Sequence, residues 1–191
     1  QSFQLQLEFN FTFEQTAVAV EQEVKQSDPI TLDLNGNGIQ LTSYRDGARF
    51  DITGTGKAVS TAFVTGGDAF LAIDRNNNGT IDDGTELFGD QNGSRNGFEE
   101  LRKLDSNGDG RVTAADRDFS KLLLWKDNGN GITEPGELVS LTDEGITEID
   151  LGYRNVNEAA ANGNRITQLA TFLRKDGTRG TAADVVLNYL A

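Results

Sequence analysis

Oxygen-bearing side chains recur at alternate positions in the segment 105–116. The first, third, fifth and twelfth positions carry a carboxylate or a carboxamide, and a glycine stands sixth. These residues are Asp105, Asn107, Asp109, Asp116 and Gly110, with the backbone carbonyl of Arg111 at the seventh position. A calcium ion takes about six to eight oxygen ligands, so the chain must wrap round it, and glycine permits the sharp turn. Surface turns use similar residues, but with every position filled the spacing predicts an EF-hand-like calcium loop.

Two other segments repeat this spacing imperfectly. In the first, the closing carboxylate stands one place late, and the second is one residue short. The candidate ligands are Asp74, Asn76, Asn78, Thr80, Asp82 and Glu86 in the first segment, and Asp127, Asn128, Asn130 and Glu137 in the second. Both sets supply the oxygens that Ca2+ prefers, so we predict two further calcium loops.

A fourth, incomplete loop begins at Asp33. Asn35 and Asn37 stand at its third and fifth positions and a glycine follows, but the twelfth residue is Tyr44 rather than an acid. This half-loop either takes a ligand from elsewhere in the chain or is a glycine-rich turn between strands. The similar stretch 51–56 has threonines in place of acidic ligands, which predicts a loop without metal.

One peptide bond has a chemistry of its own. Asp28 precedes Pro29, which is one of only two prolines in the chain. The carboxylate of such an aspartate can attack its own backbone carbonyl through a five-membered ring and expel the poorly conjugated proline nitrogen. Most Asp-Pro pairs only mark turns or strand starts, so the residues alone leave both interpretations open.

Composition narrows the chemistry that the chain can perform. Its 191 residues include no cysteine and no histidine, which excludes thiol nucleophiles, disulfides, Ser-His-Asp triads and the common zinc sites. A formal charge of -13 argues against nucleic acid and anionic membranes as partners. The sequence has neither an apolar run of membrane-spanning length nor an opening signal peptide. We therefore expect this chain to contain no membrane span and to be a piece of a longer protein.

Short apolar segments predict an α+β fold, with several short antiparallel strands and two or three short helices around the calcium loops. Apolar and polar residues alternate over 3–13, which predicts a strand with one apolar face. We place a boundary near residue 27. It separates a leader strand and linker, residues 1–27, from a calcium-binding module, residues 28–191.

The individual elements follow from the same patterns. Helices are predicted over 98–104, over 114–125, where apolar residues have helical spacing, and from Pro135 to residue 141. The segments 165–174 and 181–189 are predicted to form a final pair around residues 175–178, and the second of them to be partly helical. The other expected elements are strands at 39–43, 48–52, 58–64, 68–73, 146–151 and 165–174, a hairpin turn at Asp46-Gly47, and a polar loop over 155–164.

Several of these parts occur in a recognisable order along the chain. They are Asp28-Pro29 with the leucine-flanked half-loop 32–38, then Ile81-Asp82-Asp83-Gly84-Thr85-Glu86-Leu87-Phe88-Gly89-Asp90, the segment 104–110, Leu124-Trp125-Lys126-Asp127, and Gly136-Glu137-Leu138. From residue 28 to about residue 189, this order resembles the self-processing module of FrpC-like RTX (repeat-in-toxin) secreted proteins. The run Glu-Leu-Phe-Gly-Asp beside the loops is more specific than any loop alone.

The resemblance implies a calcium-triggered, autocatalytic cleavage of the Asp28-Pro29 bond. It implies that Asp28 forms a cyclic anhydride, which is hydrolysed by water or captured by a lysine of a neighbouring protein as an isopeptide cross-link. It also implies a bacterial protein that is secreted or held at the cell surface, of which this chain is a part.

Two other functions remain open on the sequence. In the first, the chain is a calcium-stabilised structural or adhesive module of a large extracellular protein, and Asp28-Pro29 is only a turn. In the second, the Asp105 loop and a following helix bind a partner in the manner of a dockerin. Dockerins pair two such loop-helix units, whereas only one is evident here.

Overall fold

The computed structural model describes residues 23–191, and most of this range is antiparallel β-sheet. The strands are β1 (Val24–Ser27), β2 (Ile30–Leu32), β3 (Ala48–Phe50), β4 (Val59–Thr61), β5 (Ala69–Ile73), β6 (Arg111–Thr113), β7 (Leu122–Trp125), β8 (Leu138–Ser140), β9 (Ile146–Asp150), β10 (Arg154–Ala159), β11 (Arg165–Arg174) and β12 (Arg179–Leu190). The α-helix of the described range is α1 (Gly97–Arg102). The strand predicted over 3–13 lies outside the described residues.

The longest strand, β12, is central to the sheet. The main path of hydrogen-bonded neighbours runs β6-β9-β11-β12-β2-β5-β7-β8, and β10 pairs with β11. The far end of β12 also pairs with β1 and with β4, which in turn pairs with β3. The sheet curves into a half-barrel.

Both faces of the sheet are covered by apolar side chains. In β5 every residue is buried, and successive residues alternate between the two sides. Leu71 belongs to a cluster with Phe98 and Phe172 on one face, while Phe70 packs with Trp125 in a second, aromatic cluster on the other. This alternation follows from the two-residue period of a strand. It explains why β5 is a continuous apolar run rather than an alternating one.

The predicted α+β fold is wrong, because segments expected to be helical are strands. The segment 114–125 holds only a 3-10 turn, Phe119–Lys121, before it continues as β7. A short apolar run does not distinguish helix from strand by its periodicity. Here the segment is a strand because it pairs with β5, which places Leu124 opposite Leu71. The helix predicted from Pro135 is likewise replaced by β8, and the segment 181–189 lies wholly within β12.

Two local predictions are also wrong. The segment 39–43 makes an isolated bridge from Leu41 to Val64 rather than a hairpin through Asp46-Gly47, and β3 pairs with β4 instead. The expected polar loop 155–164 includes most of β10, which pairs with β11. The short helix α1 and the strands β5, β9 and β11 lie where the apolar pattern predicts them. The boundary near residue 27 stays a prediction.

Candidate functional site

The Asp28-Pro29 bond interrupts a strand that is otherwise continuous. Ser27 at the end of β1 lies opposite Leu187, and Ile30 at the start of β2 lies opposite Asp184, in the same register along β12. The amide of Val185 donates to the carbonyl oxygen of Pro29 at 3.1 Å. Proline has no N–H to donate to the ladder. The bond is therefore held in line by pairing on both sides.

The Glu-Leu-Phe-Gly-Asp run lies against this bond. Ile30 N donates to the carbonyl oxygen of Phe88 at 2.9 Å, and Asp90 N donates to Asp28 Oδ1 at 2.9 Å. A β-carbon at Gly89 would lie 3.1 Å from the Asp28 carbonyl oxygen and 3.3 Å from its carbonyl carbon. The backbone at residue 89 thus approaches the Asp28 carbonyl more closely than most side chains allow.

Asp184 is a buried carboxyl beside this bond that the sequence analysis did not single out. Its exposed fraction is 0%, its Oδ2 accepts from Gly97 N at 2.6 Å, and its Oδ1 has no hydrogen-bond partner. A β-carbon at Gly97 would lie 2.4 Å from the Phe88 carbonyl oxygen and 3.1 Å from Asp184 Oδ2. The signal in the sequence is a single acid inside the run Ala182-Ala183-Asp184-Val185-Val186.

The carboxyls of this site hold protons more tightly than isolated aspartates. Burial is the main cause that raises the pKa of Asp28 to about 8, and the charges of Asp184 and Asp90 add to it. Burial also raises the pKa of Asp184 to about 7, against the lowering effect of the Gly97 amide. The charge of Asp184 thus disfavours a second charge on Asp28. Near neutral pH the pair therefore keeps a proton.

The three predicted calcium loops, the half-loop at Asp33 and the metal-free stretch at Asp51 share one local hydrogen bond. In each, the first aspartate accepts a hydrogen bond from a glycine amide further along the loop, and that glycine has a positive φ angle. The pairs are Asp33 and Gly38 (2.8 Å), Asp51 and Gly56 (2.5 Å), Asp74 and Gly79 (2.8 Å), Asp105 and Gly110 (2.9 Å), and Asp127 and Gly131 (3.1 Å). The last interval is shorter by one residue, which fits the deletion inferred from the sequence.

The three closing carboxylates are also held alike. Each accepts one amide from the residue after the first aspartate and one from the far side of the loop. The contacts are Glu86 with Arg75 N (2.9 Å) and Asp82 N (2.8 Å), Asp116 with Ser106 N (2.8 Å) and Thr113 N (2.9 Å), and Glu137 with Asn128 N (3.0 Å) and Glu134 N (3.0 Å). First and closing residues are thus brought together in all three loops.

The side chains between these two ends converge as well. In the Asp74 loop, Asn76, Asn78 and Thr80 all hydrogen-bond to Asp82. In the Asp105 loop, Asp109 accepts from the Asn107 side chain and the Arg111 amide. In the Asp127 loop, Asn128 and Asn130 both donate to Glu134, an acid that the sequence analysis did not include.

The half-loop at Asp33 is closed by hydrogen bonds from a residue outside it. Asp68, which is 2% exposed, accepts from Leu34 N at 3.2 Å and from Gln40 N at 2.8 Å. Burial raises the pKa of Asp68 to about 6. Asn35 donates to Gly66 O, and its side-chain oxygen accepts from Asn37 N. Asp68 thus accepts the same two kinds of amide as the closing carboxylates of the three loops, and Asn35 ties the segment to the turn before β5. The contacts suit both interpretations of this segment.

The donor chemistry of the three closed loops fits a hard divalent cation. In Glu86 and Glu137 each carboxylate oxygen keeps a lone pair after it accepts one of the amides named above, and in Asp116 the same holds for Oδ2, which accepts from Thr113 N, while Oδ1 accepts from Ser106 and Asn107. Carboxamide and backbone oxygens stand beside them. Among residues 23–191, no group of three or more acidic side chains is arranged as a preformed metal cluster. Asparagine, threonine and backbone oxygens would therefore have to supply part of any coordination shell.

Comparison with known proteins places the chain in a family. A match to the SPM domain family covers residues 30–188. The chain belongs to the SPM domain family. Over 169 residues this SPM domain is 40% identical to the iron-regulated protein FrpA of Neisseria meningitidis serogroup C. The alignment covers 84% of the chain but only 15% of that relative's length. Both findings fit the resemblance to FrpC-like proteins.

The described part of the SPM domain contains no helix that is long and apolar enough to cross a membrane.

Proposed function

We propose that this SPM domain cleaves its own Asp28-Pro29 bond once its loops have bound calcium, and that it acts as part of a secreted RTX-type protein. The proposal rests on one observation, the convergence of three conformationally fixed groups on a single peptide bond. These are the Gly89-Asp90 backbone, the half-buried Asp28 side chain and the buried Asp184 carboxyl.

The Asp28 side chain supplies the nucleophile. The Asp90 amide fixes Oδ1, so Oδ2 is the oxygen left to attack the backbone carbonyl carbon of the same residue. Attack closes a five-membered anhydride and breaks the bond to the Pro29 nitrogen. Such an intramolecular reaction in a fixed geometry lowers a barrier by up to ~7 to 11 kcal/mol. Water then opens the anhydride, or a lysine amine of a neighbouring protein captures it as an isopeptide.

The loops are connected to the bond through the chain itself. Glu86 closes the Asp74 loop, and only three residues separate it from Asp90, whose amide holds Asp28. Leu87 between them forms a bridge with Ala72 of β5. Bound calcium would stabilise the loops, at about 2.7 kcal/mol per site when its concentration is ~100 times Kd. Ordering of the Asp74 loop would thus order the segment that contacts Asp28.

The test is a time course of intact mass. The chain is purified in chelator, millimolar calcium is added, and parent and Asp28→Ala proteins are followed over hours. The parent should split between Asp28 and Pro29, whereas Asp28→Ala should stay intact. Asp46→Ala, at an exposed position away from the bond, is the matched control and should cleave at the parent rate. Calcium-dependent cleavage of Asp28→Ala at that same bond would disprove the proposal.

A second candidate is a calcium-stabilised structural module that is not cut. It is favoured by the unbroken pairing of β1 and β2 with β12, which also suits an intact chain. An uncut parent chain that gains thermal stability with calcium would support it. Dockerin-like binding is not supported, because β6 lies within the Asp105 loop and a 3-10 turn, rather than a helix, follows it.

A further inference from the structure

Breaking the Asp28-Pro29 bond requires a proton at the Pro29 nitrogen, and the chain has no histidine to deliver it. The described residues place one fully buried carboxyl next to this bond, that of Asp184. One of its oxygens is held by Gly97 N, and the other, Oδ1, is buried without a partner. An unpaired buried oxygen is costly for a carboxylate but much less so for a carboxylic acid that carries a proton.

The position of Asp184 follows from the strand register. It lies opposite Ile30, and the next residue, Val185, donates its amide to the Pro29 carbonyl oxygen at 3.1 Å. Its carboxyl faces the Gly97 amide, and Gly97 packs against Ile30 Cγ1 and the Phe88 carbonyl. The side chain therefore lies between β2 and the start of α1, out of contact with water.

We propose that Asp184 is the acid that protonates the Pro29 nitrogen as the bond breaks, an inference that rests on the proposed self-cleavage. In this step Asp28 Oδ2 forms a bond to its own carbonyl carbon, and the bond from that carbon to the Pro29 nitrogen breaks. The nitrogen takes the proton of Asp184 and leaves as a neutral secondary amine. Asp184 becomes a carboxylate, which takes a proton back when water opens the anhydride to two carboxyl groups.

Asp90 is the rival donor, and its surroundings suit the role less well. Its side chain is exposed to solvent, and it already accepts a hydrogen bond from Gln91 Nε2 at 2.6 Å. Toward Asp28, Asp90 contributes its backbone amide, which holds the nucleophile in place, and a side chain that raises the pKa of Asp28 through a hydrogen bond and its charge. Asp184 has neither solvent nor a second donor.

The division of roles predicts a bell-shaped dependence of the cleavage rate on pH. The rate should rise as the pair loses its first proton and fall as it loses the second, since the active form has an ionised Asp28 and a protonated Asp184. With pKa values of about 8 for Asp28 and about 7 for Asp184, this is the less populated of the two forms that hold one proton. Burial and the charge of Asp90 raise both pKa values, and the charge of Asp184 further raises that of Asp28, so the maximum should lie near neutral pH or slightly above. The titratable groups facing Asp184 are Asp28 and Asp90. Its neighbours on β2, β11 and α1 are Ile30, Gln168 and Gly97, which do not titrate.

The test compares the rates of calcium-started cleavage in the parent and Asp184→Asn over pH values from about 5 to 9.5. Asparagine keeps an acceptor for Gly97 N but has no proton to give. The maximal rate should fall by ~100-fold or more, the usual contribution of general acid catalysis, and the fall at alkaline pH should disappear. Asp176→Asn, in the exposed turn between β11 and β12, should behave as the parent, and Asp90→Asn should keep the alkaline fall.

Three results would overturn the assignment. One is an Asp184→Asn rate within about threefold of the parent at its maximum. The second is a slower rate that keeps the alkaline fall. The third is an Asp184→Asn profile that reaches the full maximal rate but has its rising limb at lower pH than the parent. That would mean that Asp184 only raises the pKa of Asp28.

Two further outcomes separate this inference from the proposed function. If Asp184→Asn does not fold with calcium, the pH profile of the parent chain becomes the test. A parent cleavage rate that stays flat from about pH 7 to 9.5 would contradict a protonated donor. A parent chain that stays uncut in calcium removes the proposed function itself. Asp28-dependent cleavage with an unaffected Asp184→Asn removes only the present inference.

Discussion

At the scale of single residues, the site depends on how closely the backbone approaches at Gly89. Its φ of -152° is available to any residue, so the glycine is not required by its backbone angles. The requirement is space, because a β-carbon there would lie 3.1 to 3.3 Å from three atoms of Asp28. Those atoms include the carbonyl carbon that the nucleophile must reach.

We therefore predict that Gly89→Ala slows cleavage by about tenfold, equal to roughly 1.4 kcal/mol of barrier. The added methyl group should displace the Asp28 carbonyl by a few tenths of an ångström without unfolding the sheet. The rate is measured by intact mass after calcium addition, and folding by thermal denaturation. Gly152→Ala is the control, since a β-carbon there meets only the Asp150 side chain. A Gly89→Ala rate equal to that of the control would contradict the prediction.

The residues of this site differ in how readily the sequence alone predicts their role. Asp28-Pro29 is recognisable because its chemistry lies in two adjacent residues. Asp184 was missed because its contacts are remote in the chain: its carboxylate bonds to Gly97, 87 residues away. A single sequence does not say which strand will lie beside Asp28. The available signal was a single acid among alanines and valines. It indicates that the acid is buried, but not which residues it contacts.

At the scale of elements, the loops are local structures and the strands are not. The bond from Gly110 N to Asp105 spans five residues, so the spacing of residue types is enough to predict it. By contrast, β7 becomes a strand through pairing with β5, about fifty residues earlier, as Leu124 opposite Leu71 illustrates. Local patterns therefore predicted the loops and α1, and failed for the segments whose conformation depends on a distant partner.

The closing residue of the Asp105 loop gives a prediction at this scale. Asp116 is 4% exposed, and its two oxygens accept from the amides of Ser106 and Thr113. We expect Asp116→Asn to lose one equivalent of bound calcium, because it removes the charge that closes the shell while keeping the side chain's size. Titration calorimetry gives the number of sites.

The matched control for this variant is Asp118→Asn, two residues further along. Asp118 forms an ion pair with Lys121 and lies outside the predicted shell. Its calcium stoichiometry should equal that of the parent. An unchanged stoichiometry in Asp116→Asn would mean that Asp116 is not a calcium ligand.

At the scale of the whole molecule, acidic loops surround a sheet that is apolar on both faces. The formal charge of -13 means that acidic side chains repel one another when no cations are bound. Three amide-held carboxylates, Glu86, Asp116 and Glu137, stand where calcium would offset part of that charge. Because the loops connect strands of one sheet, metal bound at any of them should stabilise the whole fold.

Calcium should accordingly raise the thermal midpoint of an uncleavable Asp28→Ala chain. A stabilisation of about 2.7 kcal/mol per site at ~100 times Kd corresponds to roughly 5 to 10 °C in a domain of this size. Differential scanning fluorimetry with chelator, with calcium and with equal magnesium provides the measurement. Magnesium is the control, since it favours a smaller, octahedral shell. A midpoint that responds equally to both ions would argue against calcium-specific loops.

The pairing of β12 with strands on both sides of the Asp28-Pro29 bond has a consequence for the products. A break at that bond leaves Val24–Ser27 paired with Leu187–Leu190, and Ile30–Leu32 paired with Ala182–Asp184. Both new chain ends then stay hydrogen-bonded to one uncut strand. Scission and product release are thus separate events, and the contacts of the described residues that retain the amino-terminal product include the four-residue ladder of β1.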